Sequence, residues 1–383
     1  MTPFDLQVRT RIVFGPGVIQ QVGELAQKLG AKRVLVVSDP GICQAGHTAK
    51  AINSLQGAGL TTEIFSGVGE NPTTEHVAAG LAVARDFQPD LLIGMGGGSS
   101  MDCAKGINFL FTNGGEIRDY WGIGKAREWL LPMIGIPTTA GTGSEAQSFA
   151  LISTPDTHVK MACGDKKAAF RIAILDPELT LTQPPRVTAL TGIDALSHAV
   201  ESYVTKSRNP ASMMFAREAW RLLAGNLHQV LLRPDDLQAR GAMQLGACLA
   251  GLAIENSMLG GAHSLANPLT ARYDVVHGQA VAVVLPAVIR YNGREFDPLY
   301  HDLLAAAAGL PEMPPASSGS AGLAEFVHSR IGLAGLKDRL RDLDVNPAEL
   351  PRLAEQAAEQ WTAAHNPRPL TKEDCLALYQ EVW

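Results

Sequence analysis

The sequence predicts an α/β half built on a mainly parallel sheet, followed by an all-helical half. Three observations carry that expectation. In the first half short β-type runs alternate with stretches of helical periodicity, the pattern of βαβ units. Beyond Pro184-Pro185 strand signals nearly vanish and apolar residues recur at helical spacing. Apolar residues make up 46% of the 383, enough to fill sizeable cores, which excludes a mainly disordered chain.

The elements follow in order. Gly15-Pro16-Gly17 marks a turn ahead of a first helix over 18–29. Strands are expected at 33–38 (RVLVVS), 61–65 (TTEIF), 90–94 (DLLIG), 133–136 (MIGI) and 171–175. Helices are expected between them at 48–56, 74–87 and 99–110. The boundary falls after Pro185, dividing the chain into 1–185 and 186–383. The second part predicts helices over 187–205, 211–232, 237–257 and 281–291, a helical pattern that continues through the Ala-, Leu-, Glu- and Arg-rich C-terminal third, and a surface loop at 311–319 (PEMPPASSG).

Charge narrows the partners. Net charge is −6, spread along the chain with no basic stripe, so neither nucleic acid nor an anionic membrane is an expected partner. The start, MTPFDLQVRT, has no apolar core of a signal peptide. The most tempting apolar tract, 280–289, is short and contains Pro286, so no membrane span is expected. Cys43, Cys103, Cys163, Cys248 and Cys375 are widely spaced and contain no C-x-x-C, which points to a reducing cytoplasm.

Three segments carry candidate chemistry in the first half. The strand 90–94 runs into Gly94-Met95-Gly96-Gly97-Gly98-Ser99-Ser100-Met101-Asp102 and then a helix. Without Cβ atoms such a backbone approaches a pyrophosphate closely, and the first helical N–H groups point at the anion. The spacing is not G-x-G-x-x-G, and the same residues suit a plain turn with Ser99 as N-cap and Asp102 as its N3 carboxylate. Beyond the strand 133–136, Pro137-Thr138-Thr139-Ala140-Gly141-Thr142-Gly143-Ser144-Glu145 offers four hydroxyls at the edge where such sheets bind ligands. Asp39 ends another strand; a carboxylate there accepts from an adenosine ribose and repels a 2′-phosphate, favouring NAD over NADP. It suits a solvated turn before Pro-Gly equally well.

The second half offers a metal constellation. Asp194 and His198 lie four apart in TGIDALSHAVESY, one helical turn on one face. His263 and His277 follow, with Gly260-Gly261 and Gly278 beside them. One carboxylate and three imidazoles make an N/O set for Fe²⁺ or Zn²⁺ that leaves room for a substrate oxygen. The spacing equally allows a simple Asp–His ion pair and separate histidines. The other seven histidines, His158 among them, have no comparable context.

Six strings then carry a resemblance. NPTTEHV (71–77), GGGSSMDCAKG (96–106), PTTAGTGSE (137–145), the run LDPELTLTQPPRVTALTGIDALSHAVESY (175–203), AHSLANPL and VVHGQAVAVVLP occur in order across the chain. Together they resemble the iron-containing (group III) alcohol dehydrogenases. The resemblance implies a dehydroquinate synthase-like architecture: an NAD-binding α/β domain, a helical metal-binding domain, and an active site in the cleft between them. It implies metal ligation by Asp194, His198, His263 and His277, and NAD contacts from Asp39, Asn71, Gly97, Gly98, Ser99, Thr138, Thr139, Ser144 and Lys160. Thr142 and Asp102 belong to the same motifs. It further implies a homodimer or larger assembly. Members similar to lactaldehyde reductases carry a further histidine four residues after the third ligand; here Asn267 stands there, an amide that does not titrate near neutrality.

The implied reaction is reversible hydride transfer between NAD and a primary alcohol or short diol, giving the aldehyde. Glycerol dehydrogenase-like polyol oxidation at zinc is an alternative, usually with one Asp and two His. A dehydroquinate synthase-like lyase would need a basic cluster, and only Arg272 and Lys206 are near the presumed ligands in sequence.

Overall fold

The computed structural model describes residues 3–156 and 159–383, so His158 lies outside the described residues. It forms two compact units, one of Gln7–Gln183 and one of Pro184–Trp383 together with the residues up to Leu6.

The first unit holds strands β1 (Arg11–Phe14), β2 (Arg33–Val37), β3 (Thr61–Phe65), β4 (Leu91–Gly96), β5 (Gly122–Ile123), β6 (Met133–Pro137), β7 (Phe149–Ser153), β8 (Lys160–Gly164) and β9 (Ile172–Leu175). Its helices are α1 (Val22–Lys28), α2 (Pro40–Gln44), α3 (His47–Gly57), α4 (Thr74–Phe87) and α5 (Gly98–Asn113). A six-stranded sheet runs β1-β9-β6-β4-β2-β3, with every neighbouring pair parallel. A small sheet, β5-β8-β7, contains the antiparallel pair β7–β8.

Strand period two sorts the side chains of the large sheet. Leu35, Val37 and Leu92 face a cluster with Met101 and Ile107 of α5 and Val77 and Leu81 of α4. Val34, Val36, Leu91 and Ile93 face the other way, against Val22 and Leu25 of α1 and Ala51 and Leu55 of α3. Burial on both faces is why these strands read as continuous apolar runs rather than alternating ones. From β2 the chain steps outward to β3 and then returns to place β4 on the other side of β2. The carboxyl ends of β2 and β4 therefore flank a topological switch point, where ligands of such sheets bind. Asp39 and the glycine turn both emerge there. The Ser38 hydroxyl donates to the Met95 carbonyl at 2.8 Å and ties the two strand ends together.

Four strands were not expected from the sequence. Strand β1 is a short edge strand with a single partner, β9, and its alternating burial is weak. The runs FALIS and KMACG of β7 and β8 are poor in β-branched residues, and β5 has only two residues.

The second unit contains α6 (Pro185–Val204), α7 (Pro210–Leu232), α8 (Leu237–Glu255), α9 (Gly261–Tyr273), α10 (His277–Ala306), α11 (Gly319–Leu333), α12 (Leu350–Ala358) and α13 (Lys372–Glu381), and no strand among the described residues. Helix α6 is buried on nearly every side from Thr188 to Val204, which marks it as the central helix of this unit. Two outcomes differ from the sequence expectation. Helix α9 was not expected, because glycines open it and Pro268 stands inside it. Helix α10 runs well past 291, carrying Pro286 and Pro298 and a kink at Phe296 (φ −120°, ψ 24°). No helix among the described residues is long and apolar enough to cross a membrane.

Candidate functional site

Three helices of the second unit bring the metal-type residues together. Helix α6 presents Asp194 and His198 on one face, α9 presents His263 in its first turn, and α10 begins at His277. Gly278 explains how the last helix comes close enough. A Cβ there would lie 2.4 Å from the Leu190 carbonyl oxygen, so only glycine lets the start of α10 lie against the α6 backbone one turn before Asp194.

The donor atoms converge. His198 Nε2, His263 Nε2 and His277 Nε2 lie 3.4, 3.6 and 3.8 Å from Asp194 Oδ1. His198 Nε2 and His263 Nε2 are 3.2 Å apart. Ligands held about 2.0–2.2 Å from one ion in a tetrahedral shell are about 3.3–3.6 Å apart, a range that these separations of 3.2–3.8 Å bracket. Asp194, His263 and His277 each offer a ligand atom within 4.8 Å of the others. Asp194 Oδ1 is buried without a hydrogen-bond partner among the described residues, a costly state for a carboxylate oxygen unless a cation serves it. Asp194, His198 and His263 are buried, whereas the His277 side chain is 24% exposed, giving the cluster one open side.

Electrostatics favour positive charge here. Burial alone would push Asp194 up, but His198, His263 and His277 hold its carboxyl well below the usual range. Burial would pull His263 down, yet Asp194 and Glu201 outweigh it and push that imidazole up to about 9.

Glu201 is the residue that sequence reasoning missed. It lies on α6 seven residues after Asp194 and accepts from His263 Nδ1 at 2.6 Å. The available signal was spacing, since 194, 198 and 201 form an i, i+4, i+7 series. Asn267 lies one turn beyond His263 on α9, and its amide donates to Gln360 Oε1 at 3.0 Å. The basic residue nearest in sequence to the histidine pair, Arg272, is engaged by Glu349 at 2.5 Å.

In the first unit the glycine turn, Asp39 and the hydroxyl loop also meet. The N-cap of α5 is Gly97, which places Ser99 inside the first turn and corrects the alternative of Ser99 as the cap. Gly96 has φ +144°, and a Cβ there would sit 2.5 Å from Ser100 Oγ and 3.0 Å from Asp39 Oδ2. A Cβ at Gly98 would sit 2.7 Å from the Thr142 side chain, and one at Gly97 would be 3.7 Å from Thr139. The Ser100 hydroxyl donates to Asp39 Oδ2 at 3.3 Å. Thr138 Oγ1 is buried with no hydrogen-bond partner among the described residues.

Asp102 and Ser144 are engaged with each other. Ser144 Oγ donates to Asp102 Oδ1 at 2.6 Å and accepts from the buried Lys105 Nζ at 2.8 Å. Burial pushes the Asp102 carboxyl up, against the pull of Lys105 and the more distant Lys160. Lys160 itself opens β8 of the small sheet. Asn71 stands in the loop before α4 with φ +50° and makes no hydrogen bond to the glycine turn among the described residues. Its neighbour Pro72 accepts from Ser153 N at 2.8 Å, which ties that loop to β7 instead.

The chain and its fold match known proteins over the whole length. Residues 9–177 match the model of the iron-containing alcohol dehydrogenases, and residues 188–383 match that of the Fe-containing alcohol dehydrogenase family's C-terminal region. The chain therefore belongs to the iron-containing alcohol dehydrogenase family, and its class is that of an alcohol oxidoreductase. It is 36% identical to the 1,3-propanediol dehydrogenase of Klebsiella pneumoniae, over 99% of each chain. A crystal structure of a 1,3-propanediol oxidoreductase superposes with a TM-score of 0.95 at 35% identity, covering 100% of both chains. The sulfoacetaldehyde reductase of Bifidobacterium kashiwanohense, solved with NAD⁺, is similar at a TM-score of 0.90 and 25% identity, over 100% and 99% of the two chains.

Proposed function

We propose that the chain is an NAD- and iron-dependent dehydrogenase that interconverts a primary alcohol or short diol with its aldehyde, and that Zn²⁺ can occupy the same ligand set. The approach of three imidazole Nε2 atoms to Asp194 Oδ1, with Asp194, His263 and His277 mutually close, carries this reading. The donors fit a divalent ion: one carboxylate supplies charge, and the imidazoles supply nitrogen lone pairs once the ion displaces the proton that Asp194 and Glu201 hold on His263. Gly96, Gly97 and Gly98, the unpartnered Thr138 hydroxyl and Asp39 at the switch point support a dinucleotide. Bound there, a divalent ion would supply a Lewis acid for the substrate oxygen and NAD the hydride acceptor.

The chain's own residues do the rest. Asp194 and His198 are fixed by the rigid central helix, while Glu201 orients the His263 ring. Asp39 would hold the adenosine ribose, with Gly97, Gly98 and Ser99 against the pyrophosphate and Thr138, Thr139 and Thr142 lining the adjoining loop. Asn71 and Lys160 are assigned to the cofactor through the family resemblance. Ser144 and Asp102 contribute by holding the loop through their mutual hydrogen bond. Asn267 can hydrogen-bond a substrate hydroxyl but does not relay a proton by titrating.

Asp194, His263 and His277 form the mutually close core of the ligand set, an Asp-and-two-His group like that of the glycerol type, and His198, at 3.4 Å from Asp194 Oδ1 and 3.2 Å from His263 Nε2, adjoins it as the fourth ligand that the family resemblance implies. The engagement of Arg272 by Glu349 weighs against a lyase for a phosphorylated acid. The five free thiols support a reducing compartment such as the cytoplasm, and the resemblance supports a homodimer or larger assembly. The test is alcohol-dependent NADH formation by metal-replete protein, together with His263→Ala. That variant is expected to lose turnover and most bound metal while retaining NAD binding; full activity would rule the metal mechanism out.

A further inference from the structure

We infer that Glu201 is a positioning residue that sets the affinity of the metal site by dictating which nitrogen of His263 carries the proton. The inference rests on the metal-binding reading above. Glu201 is 3% exposed and has two donors to serve, both from the first turn of α9. Its Oε1 accepts from the Ala262 backbone N–H at 2.6 Å, and its Oε2 accepts from His263 Nδ1 at 2.6 Å. The preceding N–H, of Gly261, is satisfied separately by Asn366 Oδ1 at 3.1 Å, and Asn366 is locked by a reciprocal amide pair with Asn292. The start of α9 is thus pinned from two sides, and Glu201 supplies the side that reaches the ring.

The chemistry requires a carboxylate. An imidazole that ligates a cation keeps one N–H, so a proton held on Nδ1 leaves the lone pair of Nε2 for the metal. That Nε2 is the atom 3.2 Å from His198 Nε2 and 3.6 Å from Asp194 Oδ1. A carboxylate accepts at both oxygens and serves Ala262 and His263 together. A glutamine of the same length has one acceptor and one NH₂ group. Turned one way, its NH₂ faces the Ala262 N–H; turned the other, it donates to His263 Nδ1 and drives the proton onto Nε2, where the metal lone pair is needed. Glu201 also brings a second buried negative charge, so that with Asp194 the pocket balances a divalent cation. Replacement of such outer partners typically lowers metal affinity by about 10–100-fold.

The experiment uses the full chain stripped of metal and titrated with Zn²⁺ alone against a chromophoric chelator, with NAD binding followed by fluorescence as an independent check on the fold. Wild type is expected to bind one Zn²⁺ per chain. Glu201→Gln is expected to weaken Zn²⁺ by about 10–100-fold while NAD affinity stays within about twofold. Unchanged Zn²⁺ affinity in this variant overturns the role of Glu201 and leaves the metal site intact; a wild type that binds no Zn²⁺ overturns both. A second measurement needs no Glu201 variant. In the Zn²⁺-loaded wild type, side-chain ¹⁵N spectra of histidine should show Nδ1 protonated and Nε2 metal-bound at His263, assigned by the through-space contact of its Nδ1–H with the Ala262 N–H, which shares the Glu201 carboxylate. Metal on Nδ1 would overturn the inference.

Discussion

Gly278→Ala tests how the three helices are brought to one point. The added Cβ would lie 2.4 Å from the Leu190 carbonyl oxygen and 2.9 Å from its carbon, both backbone atoms of the central helix. Ordinary contact begins near 3.4 Å, so the first turn of α10 must retreat by about 1 Å. Overpacking of this kind costs about 1–3 kcal/mol. The retreat carries His277, the adjoining residue, away from Asp194 Oδ1, which it approaches at 3.8 Å. A displacement of about 1 Å at a reacting centre can cost about 10²-fold, so turnover is expected to fall by about 10–100-fold with weaker Zn²⁺ binding and a lower unfolding midpoint. Gly332→Ala is the control: a Cβ there meets nothing within 4 Å, in the last turn of α11. That change should leave turnover alone and stabilise by about 0.5–1 kcal/mol. Chelator competition, steady-state kinetics and thermal unfolding on both variants decide the matter. Full turnover and an unchanged midpoint in Gly278→Ala would refute the idea that a glycine contact sets the position of His277.

Two further outcomes probe the first unit and the thiols. Asp39→Gly should narrow the preference for NAD over NADP by about fivefold or more, since two like charges near 4 Å repel by about 1–4 kcal/mol between water and a protein surface; an unchanged ratio removes Asp39 from the cofactor site. Burial pushes Cys103, Cys163 and Cys375 up to about 12, Cys248 is also buried, and only Cys43 is half-exposed. A thiol reagent at pH 8 should therefore modify one cysteine rapidly in the folded chain and all five after denaturation, and two or more fast thiols before unfolding would contradict the packing.

Much of the architecture was legible because its signals are local. The apolar runs of β2, β4 and β6 and the periodic helices α4 to α8 announce themselves within a window of some ten to twenty residues. Helix α9 and the small sheet were illegible for the opposite reason. Gly261 and Pro268 break the helical pattern, and FALIS and KMACG acquire strand geometry by pairing within the small sheet. The site divides the same way. Asp194 and His198 share a face by helical arithmetic, whereas His263 and His277 were identifiable only as histidines in small-residue contexts.

What the residues alone determined was an inventory: a glycine turn after a strand, a hydroxyl-rich loop, and one carboxylate with three imidazoles. Those are properties of short segments, where backbone freedom and side-chain chemistry are already complete. Only the tertiary structure decided that Glu201 grips His263, that Ser144 and Asp102 hold one another, and that Gly278 lets α10 lie against α6. Each of these joins segments dozens of residues apart, and no local pattern encodes a distance that packing alone imposes.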